Sequence, residues 1–229
     1  MIQPSSPTPH HLLSCQLSFL DQIAPQVYNP FVMFYKPEKD SEFGVFEISN
    51  KLKKSMSHVL TLFYPLTGRL KEKNTTFVES NNEGIPYLEA RVNCQLSHFL
   101  QNPSPNELNK LIPFESDKLF DVPIGVQLNI FKCVGIAIRS CISHKVADGL
   151  ASFMFLKNWA AIARGDHMEV RPEFQATTLF PPKSISVFDR VGTTNKDTVM
   201  SKRFVLNAAM IKDLKGKYAI INRKGSSNH

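Results

Sequence analysis

The feature that most constrains this chain is an apolar strand that turns a corner into an apolar helix. Gly135 to Ser143 is mostly apolar, Leu150 to Arg164 is apolar nearly all round, and the polar run His144-Lys145-Val146-Ala147-Asp148-Gly149 joins them. A strand of that composition is central and covered on both faces. In the helix, Ser152, Phe155, Leu156, Trp159, Ala160 and Ala163 form one stripe. Most of its other positions are apolar too, which predicts a buried helix. Just upstream, Val126 to Phe131 alternates, with Val126, Leu128 and Ile130 on one face and Gln127 and Asn129 on the other. Two neighbouring central strands therefore feed a buried helix, and the class is α/β or α+β.

The remaining elements follow from periodicity and punctuation. Phe31 to Lys36 is a β-branched and aromatic run bounded by prolines and reads as a short strand. Val45 to Tyr64 is the clearest helix, because Val45, Ile48, Leu52, Met56, Val59, Leu60 and Phe63 recur at helical spacing. Lys51, Lys53, Lys54 and His58 fall on its other face, and Pro65 ends it. Short strands are expected at Thr76–Glu79 and Tyr87–Val92. Short helices are expected near Leu96–Leu100 and Glu107–Leu111, separated by Pro103 and Pro105. Residues 1–11 read as an extended arm and 165–202 as a long surface crossover. Arg203 to Asn207 reads as a strand, Ala208 to Tyr218 as a basic-faced helix, and the tail Asn222 to His229 as a linker. The organisation is residues 1–202, with the crossover at its end, and 203–229, a strand, helix and linker.

Composition removes several function classes. At 229 residues, 42% hydrophobic and 21% charged, the chain is neither disordered nor collagen-like. Cys15, Cys94, Cys133 and Cys141 form no C-x-x-C pair, which excludes a zinc ribbon or thioredoxin-type motif. Their scatter reads as reduced thiols in a cytoplasmic protein. The N-terminal residues do not read as a signal peptide. The longest apolar stretch, Cys133 to Ile138, is far short of the ~20 residues that span a bilayer, so no membrane partner is expected. The net charge of +7 favours anionic partners. Yet Lys51, Lys53 and Lys54, like Lys212, Lys215 and Lys217, do not interleave with exposed aromatics and read as solvated faces. No nucleic acid is therefore expected. G-x-G-x-x-G, the P-loop, G-x-S-x-G and H-E-x-x-H are all absent, which removes the enzyme classes built on them.

What remains is the corner itself. A histidine at the carboxyl end of a central strand stands where open α/β sheets place functional groups, and its ordinary pKa of ~6.5 lets it act as a base. On local context alone, a hydrogen-bonded structural role for His144 is the commoner one. Asp148 is a natural N-cap for the next helix, and Gly149 permits a tight turn. A metal site on His144 and Asp148 lacks a third ligand. His10, His11, His58, His98, His167 and His229 fall in loops, tails or polar faces and read as solvated.

The run SHKVADG, Ser143 to Gly149, carries the H-x-x-x-D-G motif of the BAHD acyltransferases, the plant acyl-CoA-dependent family. PSSPTP with LSFLDQ (Pro4–Pro9 and Leu17–Gln22), FVMFY (Phe31–Tyr35), LTLFYPLTGRL (Leu60–Leu70), GIPYLEARV (Gly84–Val92) and SHKVADGLASFMFLKNWAA (Ser143–Ala161) follow in the family's order and spacing. The chain resembles the family over nearly its whole length, and within it the alkaloid and alcohol acetyltransferases. The resemblance implies an α/β fold, a mixed sheet flanked by helices. This is the chloramphenicol-acetyltransferase-like fold of two similar halves, with a channel between them. It implies His144 as general base in a ternary complex, with Asp148 and Gly149 as structural support of the site. It implies no permanently bound cofactor, with acyl-CoA, acetyl-CoA by resemblance, as co-substrate. The acceptor would be a small-molecule alcohol, a plant specialised metabolite of the alkaloid kind. Tyr35 is a candidate substrate-binding residue, although an aromatic in a strand is more often core. Family members are roughly twice this length, and their second half carries a D-F-G-W-G motif that this chain lacks. A C-terminal half of the same enzyme, as a separate or missing chain, is therefore the expected partner, and activity is expected only with it. The competing expectation is a truncated, non-catalytic half-protein that binds ligand or a partner chain.

Overall fold

In the computed structural model, Gly135's strand lies at the centre of a four-stranded sheet. The structure describes residues 1–36, 44–70, 76–101, 103–113, 121–166, 170–184 and 204–225. It divides into two compact units, Met1–Gly192 and Thr193–His229.

In the first unit the elements run β1 (Ser14–Gln16), α1 (Phe19–Ile23), β2 (Tyr28–Tyr35), α2 (Val45–Leu62), β3 (Phe77–Glu79) and β4 (Tyr87–Val92). They continue with α3 (Leu96–Gln101), α4 (Pro105–Asn109), β5 (Ile124–Phe131), β6 (Ile136–Ser143), α5 (Gly149–Arg164) and α6 (Ala176–Leu179). The main sheet has the order β2-β6-β5-β4, and β1 pairs with β3 in a small second sheet. β6 is antiparallel to both neighbours, with Tyr28 opposite Ser143 on one side and Ile124 opposite Ile142 on the other. β4 runs parallel to β5. All eight residues of β6 are buried, as its composition predicts.

One face of the sheet carries α2 and α5. Met56, Val59 and Leu60 of α2 meet Phe155, Leu156 and Trp159 of α5 over Val126, Leu128, Ile138 and Ile142. Each such side chain contributes ~1.5–3 kcal/mol by leaving water. The two helices are also tied by polar groups. The Trp159 Nε1 donates to Ser55 Oγ at 3.0 Å and to Leu52 O at 3.2 Å. Midway along its length, α2 is tied to the edge strand β4 by Lys53, whose Nζ lies 2.6 Å from Glu89 Oε1. Ser49 Oγ donates to the same carboxylate. The Lys53 bond, then the Ser49 bond, hold the Glu89 carboxyl below its usual range.

The other face is covered by a smaller cluster of Leu96, Leu111, Phe131 and Ala137. Here the alternation of β5 has an outcome that its sequence does not show. Gln127 and Asn129, on the face that reads as polar, are buried. Asn129 Nδ2 donates to Leu111 O at 3.3 Å, and Arg139 donates to Leu108 O. Leu108 lies in the last turn of α4, where a helix leaves acceptors without internal partners, and Leu111 lies two residues past its end. Arg139 therefore caps the helix, Asn129 holds the chain that leaves it, and Gln127 Nε2 donates to Asn129 Oδ1 at 2.8 Å.

Several expectations need correction. The strand read from Phe31 begins three residues earlier, at Tyr28. The second short helix starts at Pro105, with Ser104 as its cap, not at Glu107, because proline fits the first helical position. α5 is not buried all round: Leu150 is 72% exposed and Phe153 62%. Hydrophobicity alone does not say which apolar side chains find a covering neighbour. The N-terminal arm is laid down by pairing, since Ile2 and Ile85 exchange backbone bonds of 2.8 and 2.9 Å. In the second unit, residues 204–207 form no strand, Arg203 lies outside the described residues, and α7 runs Ala208–Gly225. The helix thus takes in Asn222 to Gly225 of the expected linker. His167 and His229 also lie outside the described residues. Among the described residues no helix is long and apolar enough to cross a membrane.

Two predictions follow from the ties on α2. Trp159→Phe removes the indole donor to the buried Ser55 Oγ, so unfolding free energy falls by about 1–3 kcal/mol, read as a lower urea midpoint by circular dichroism. Glu89 has a lowered folded pKa, so its contribution is present above the unfolded value of ~4.3 and is lost as pH falls through the folded one. Glu89→Gln is expected to flatten that part of the acid limb in denaturation curves measured between pH 5 and pH 2.

Candidate functional site

His144 is the first residue after β6, and the sheet determines where it stands. Tyr28 faces Ser143 across the β2–β6 ladder, and the ladder continues by one bond, from the His144 backbone amide to Val27 O at 2.9 Å. From the β5 side, Ser143 N donates to Pro123 O at 2.8 Å. The turn then closes on itself, with Val146 N and Ala147 N both donating to Ser143 O at 3.1 Å. The histidine is thus held by its own bond on the β2 side and, through Ser143, on the β5 side.

The side chain is less committed. His144 is half-buried, whereas His10, His11, His58 and His98 are exposed; among the described histidines it is the enclosed one. Its Nδ1 is buried and has no hydrogen-bond partner among the described residues. No hydrogen bond joins the ring to Asp148. The Asp148 Oδ1 instead accepts from Ala151 N at 2.7 Å, and Ser152 N donates to Asp148 O at 2.9 Å. Asp148 is the N-cap of α5, with extended backbone ahead of the helix, and its carboxylate satisfies an amide that the first turn leaves orphaned.

Gly149 opens α5 without a left-handed backbone. A Cβ there would meet nothing within 4 Å among the described residues. Among the described residues, no steric contact demands glycine at this position. The helix ends at Gly165, whose φ of 86° is the left-handed conformation that glycine tolerates.

Tyr35 is not brought to the histidine. It pairs with Ile136 at the opposite end of the ladder from Ser143, seven residues along the strand or roughly 24 Å away. Its hydroxyl donates to Met33 Sδ at 3.6 Å, and the ring is 43% exposed, so it is not core either.

The structure brings other residues to the corner. Tyr28 donates its hydroxyl to Val122 O at 2.6 Å, and burial, with Asp121 adding to it, pushes its phenol above the ordinary range. Lys145 Nζ donates to Gln22 O at 3.0 Å. Burial lowers the Lys145 ammonium below its ordinary pKa, with Asp21 opposing. Sequence reasoning passed over α1 as a helix. The signal was present in Ser18 and Asp21, a capping box in which Ser18 N donates to Asp21 Oδ2 at 2.9 Å and Asp21 N to Ser18 Oγ at 3.3 Å. Nothing in the sequence marks Gln22 as the acceptor for Lys145. The four cysteines are free, and burial raises Cys15 to about 11.

With this geometry in place, comparison with known proteins is informative. A family model described as "Transferase family" matches residues 1–223. Stemmadenine O-acetyltransferase of Catharanthus roseus is 39% identical over 228 residues, covering 96% of this chain and 53% of its own length. Vinorine synthase of Rauvolfia serpentina is 37% identical over 227 residues, covering 95% of this chain and 52% of its own. The crystal structure of vinorine synthase superposes with a TM-score of 0.74 at 40% identity, over 80% of this chain and 46% of that one. The chain spans about half the length of the curated relatives it matches.

Asp148→Ala is expected to destabilise the protein by about 0.5–2 kcal/mol through loss of the cap. Asp148→Asn, which keeps an accepting oxygen, should recover most of that. Thermal melts of the two variants check it.

Proposed function

The chain belongs to the Transferase family of BAHD acyltransferases, and from that premise we propose that it carries the general base of an acyl-CoA-dependent O-acyltransferase. The reaction moves an acyl group, acetyl in this reading, from acyl-CoA to a hydroxyl of a plant specialised metabolite of the alkaloid kind. The observation that carries the proposal is His144, held at the end of β6 by its backbone bond to Val27 O while its Nδ1 has no hydrogen-bond partner among the described residues. The acetyltransferase and alkaloid-related names of the relatives support the substrate classes.

The chemistry follows from one imidazole. Nδ1 is the enclosed nitrogen, which leaves Nε2 to meet the reactants. Neutral Nε2 takes the proton of the acceptor hydroxyl as its oxygen attacks the thioester carbonyl. The tetrahedral intermediate then expels the thiolate of CoA, and the imidazolium returns the proton to sulfur. One imidazole serves both transfers, a contribution of roughly 10²–10⁴-fold. No serine or cysteine nucleophile takes part. Asp148, engaged with the α5 amide, supports the turn and does not polarise the ring. The reaction also needs a second polypeptide segment, the C-terminal half of the same enzyme. Leu150 and Phe153, exposed beside the corner, support such a cover, since apolar residues next to a reaction centre are commonly closed over to exclude water.

In protein carrying both halves, His144→Ala is expected to lower kcat for acetyl transfer from acetyl-CoA to an alkaloid alcohol by about 10²-fold or more. The isolated chain should show no turnover. Unchanged turnover in His144→Ala removes the mechanism.

A further inference from the structure

The turn that bears His144 is tied to one short segment, residues 19–28, by two separate bonds. The first is the backbone bond from His144 to Val27 O at 2.9 Å. The second is the side-chain bond from Lys145 Nζ to Gln22 O at 3.0 Å, which links residues 123 positions apart. Gln22 lies in the last turn of α1, so its carbonyl is one that a helix leaves without an internal donor. Lysine supplies that donor.

The same glutamine is held from a further part of the chain. Its side chain is only 8% exposed, and its Oε1 accepts from Lys183 N at 3.0 Å. The Lys183 Nζ sits 4.7 Å from the centre of the Phe19 ring, and Phe19 N donates to Phe180 O at 3.0 Å. The stretch Phe180–Lys183 therefore grips α1 at its first residue and again at Gln22. An ammonium drawn partly out of water must keep its donors engaged, so the Lys145 bond resists breaking more than a solvated lysine contact would.

We propose that Lys145 is a positioning residue for His144, tying the turn to α1 so that the imidazole keeps a fixed reach toward the acceptor hydroxyl. Gln22 joins that hold to the Phe180–Lys183 stretch. The proposal rests on the reading of His144 as general base. A base displaced by about 1 Å loses on the order of 10²-fold in rate, so a tether one residue away affects turnover without touching substrate.

The test combines hydrogen exchange on the chain with steady-state kinetics on protein carrying both halves. Lys145→Met keeps the stem and deletes the donor. Exchange at His144 to Ala147 is expected to quicken by about tenfold while β4 is unchanged. The kcat should fall by about tenfold with KM for the acceptor unaltered, and Lys145→Arg should restore most of both. Unchanged exchange, faster exchange with intact kcat, or faster exchange spread over the whole fold each overturns the proposal. If His144→Ala leaves turnover intact, the general-base reading fails and the positioning role falls with it. The exchange difference in Lys145→Met then still shows whether the tether exists.

Discussion

Everything at the site depends on the burial of β6. Its eight positions are all enclosed, and its neighbours on both sides run antiparallel to it. A strand covered on both faces cannot slip by one residue without moving its apolar set onto the wrong face. That register puts Ser143 opposite Tyr28 and leaves His144 as the first residue beyond the strand. The position of the histidine is therefore a consequence of core packing, and the extra ladder bond to Val27 O only finishes what the sheet has decided.

The helices extend the same logic. Trp159 is buried between α2 and α5, with its one polar atom bonded to both Leu52 O and Ser55 Oγ. The far two-thirds of α5 are thus clamped, while Leu150 and Phe153 at its start remain exposed. The clamped part anchors the helix, and its uncovered start, capped by Asp148, lies beside the turn that bears His144. Rigidity behind the site and apolar surface in front of it are two ends of one element.

Much of this was legible in the sequence wherever periodicity carried it. α2 follows from its apolar spacing and from Pro65, and β4 and β6 follow from their composition, because backbone hydrogen bonding and burial both act on local pattern. His144 stood out by its place at a strand-to-helix corner. The failures share a physical cause: each depended on a partner distant in sequence. Gln127 and Asn129 read as solvent-facing and are buried, with Asn129 bonded to Leu111 O beyond α4 and Gln127 bonded to Asn129. Leu150 and Phe153 read as core and are exposed, Phe153 with only one edge-on ring contact, to Phe31 at 5.3 Å, among the described aromatic residues. Lys145 read as one residue of a motif and is a tether because α1 ends where its ammonium reaches. Tyr35 was drawn toward the site by lying in a strand that does reach it, but by its other end.

The division of labour between His144 and Asp148 also bears on which reaction the corner can support. A carboxylate free to accept from imidazole would build the relay that activates a hydroxyl nucleophile of the protein itself. Here the carboxylate is occupied by the first turn of α5, and no hydrogen bond joins it to the ring. What remains is a histidine that makes no hydrogen bond to this carboxylate and whose Nδ1 has no partner among the described residues. Under the proposed reaction that is sufficient, since an alcohol supplies the nucleophile, a thiolate is a good leaving group, and the same imidazole can take one proton and return it. Within the proposed reaction, a capped aspartate beside the histidine fits direct transfer between two bound substrates better than a covalent enzyme intermediate.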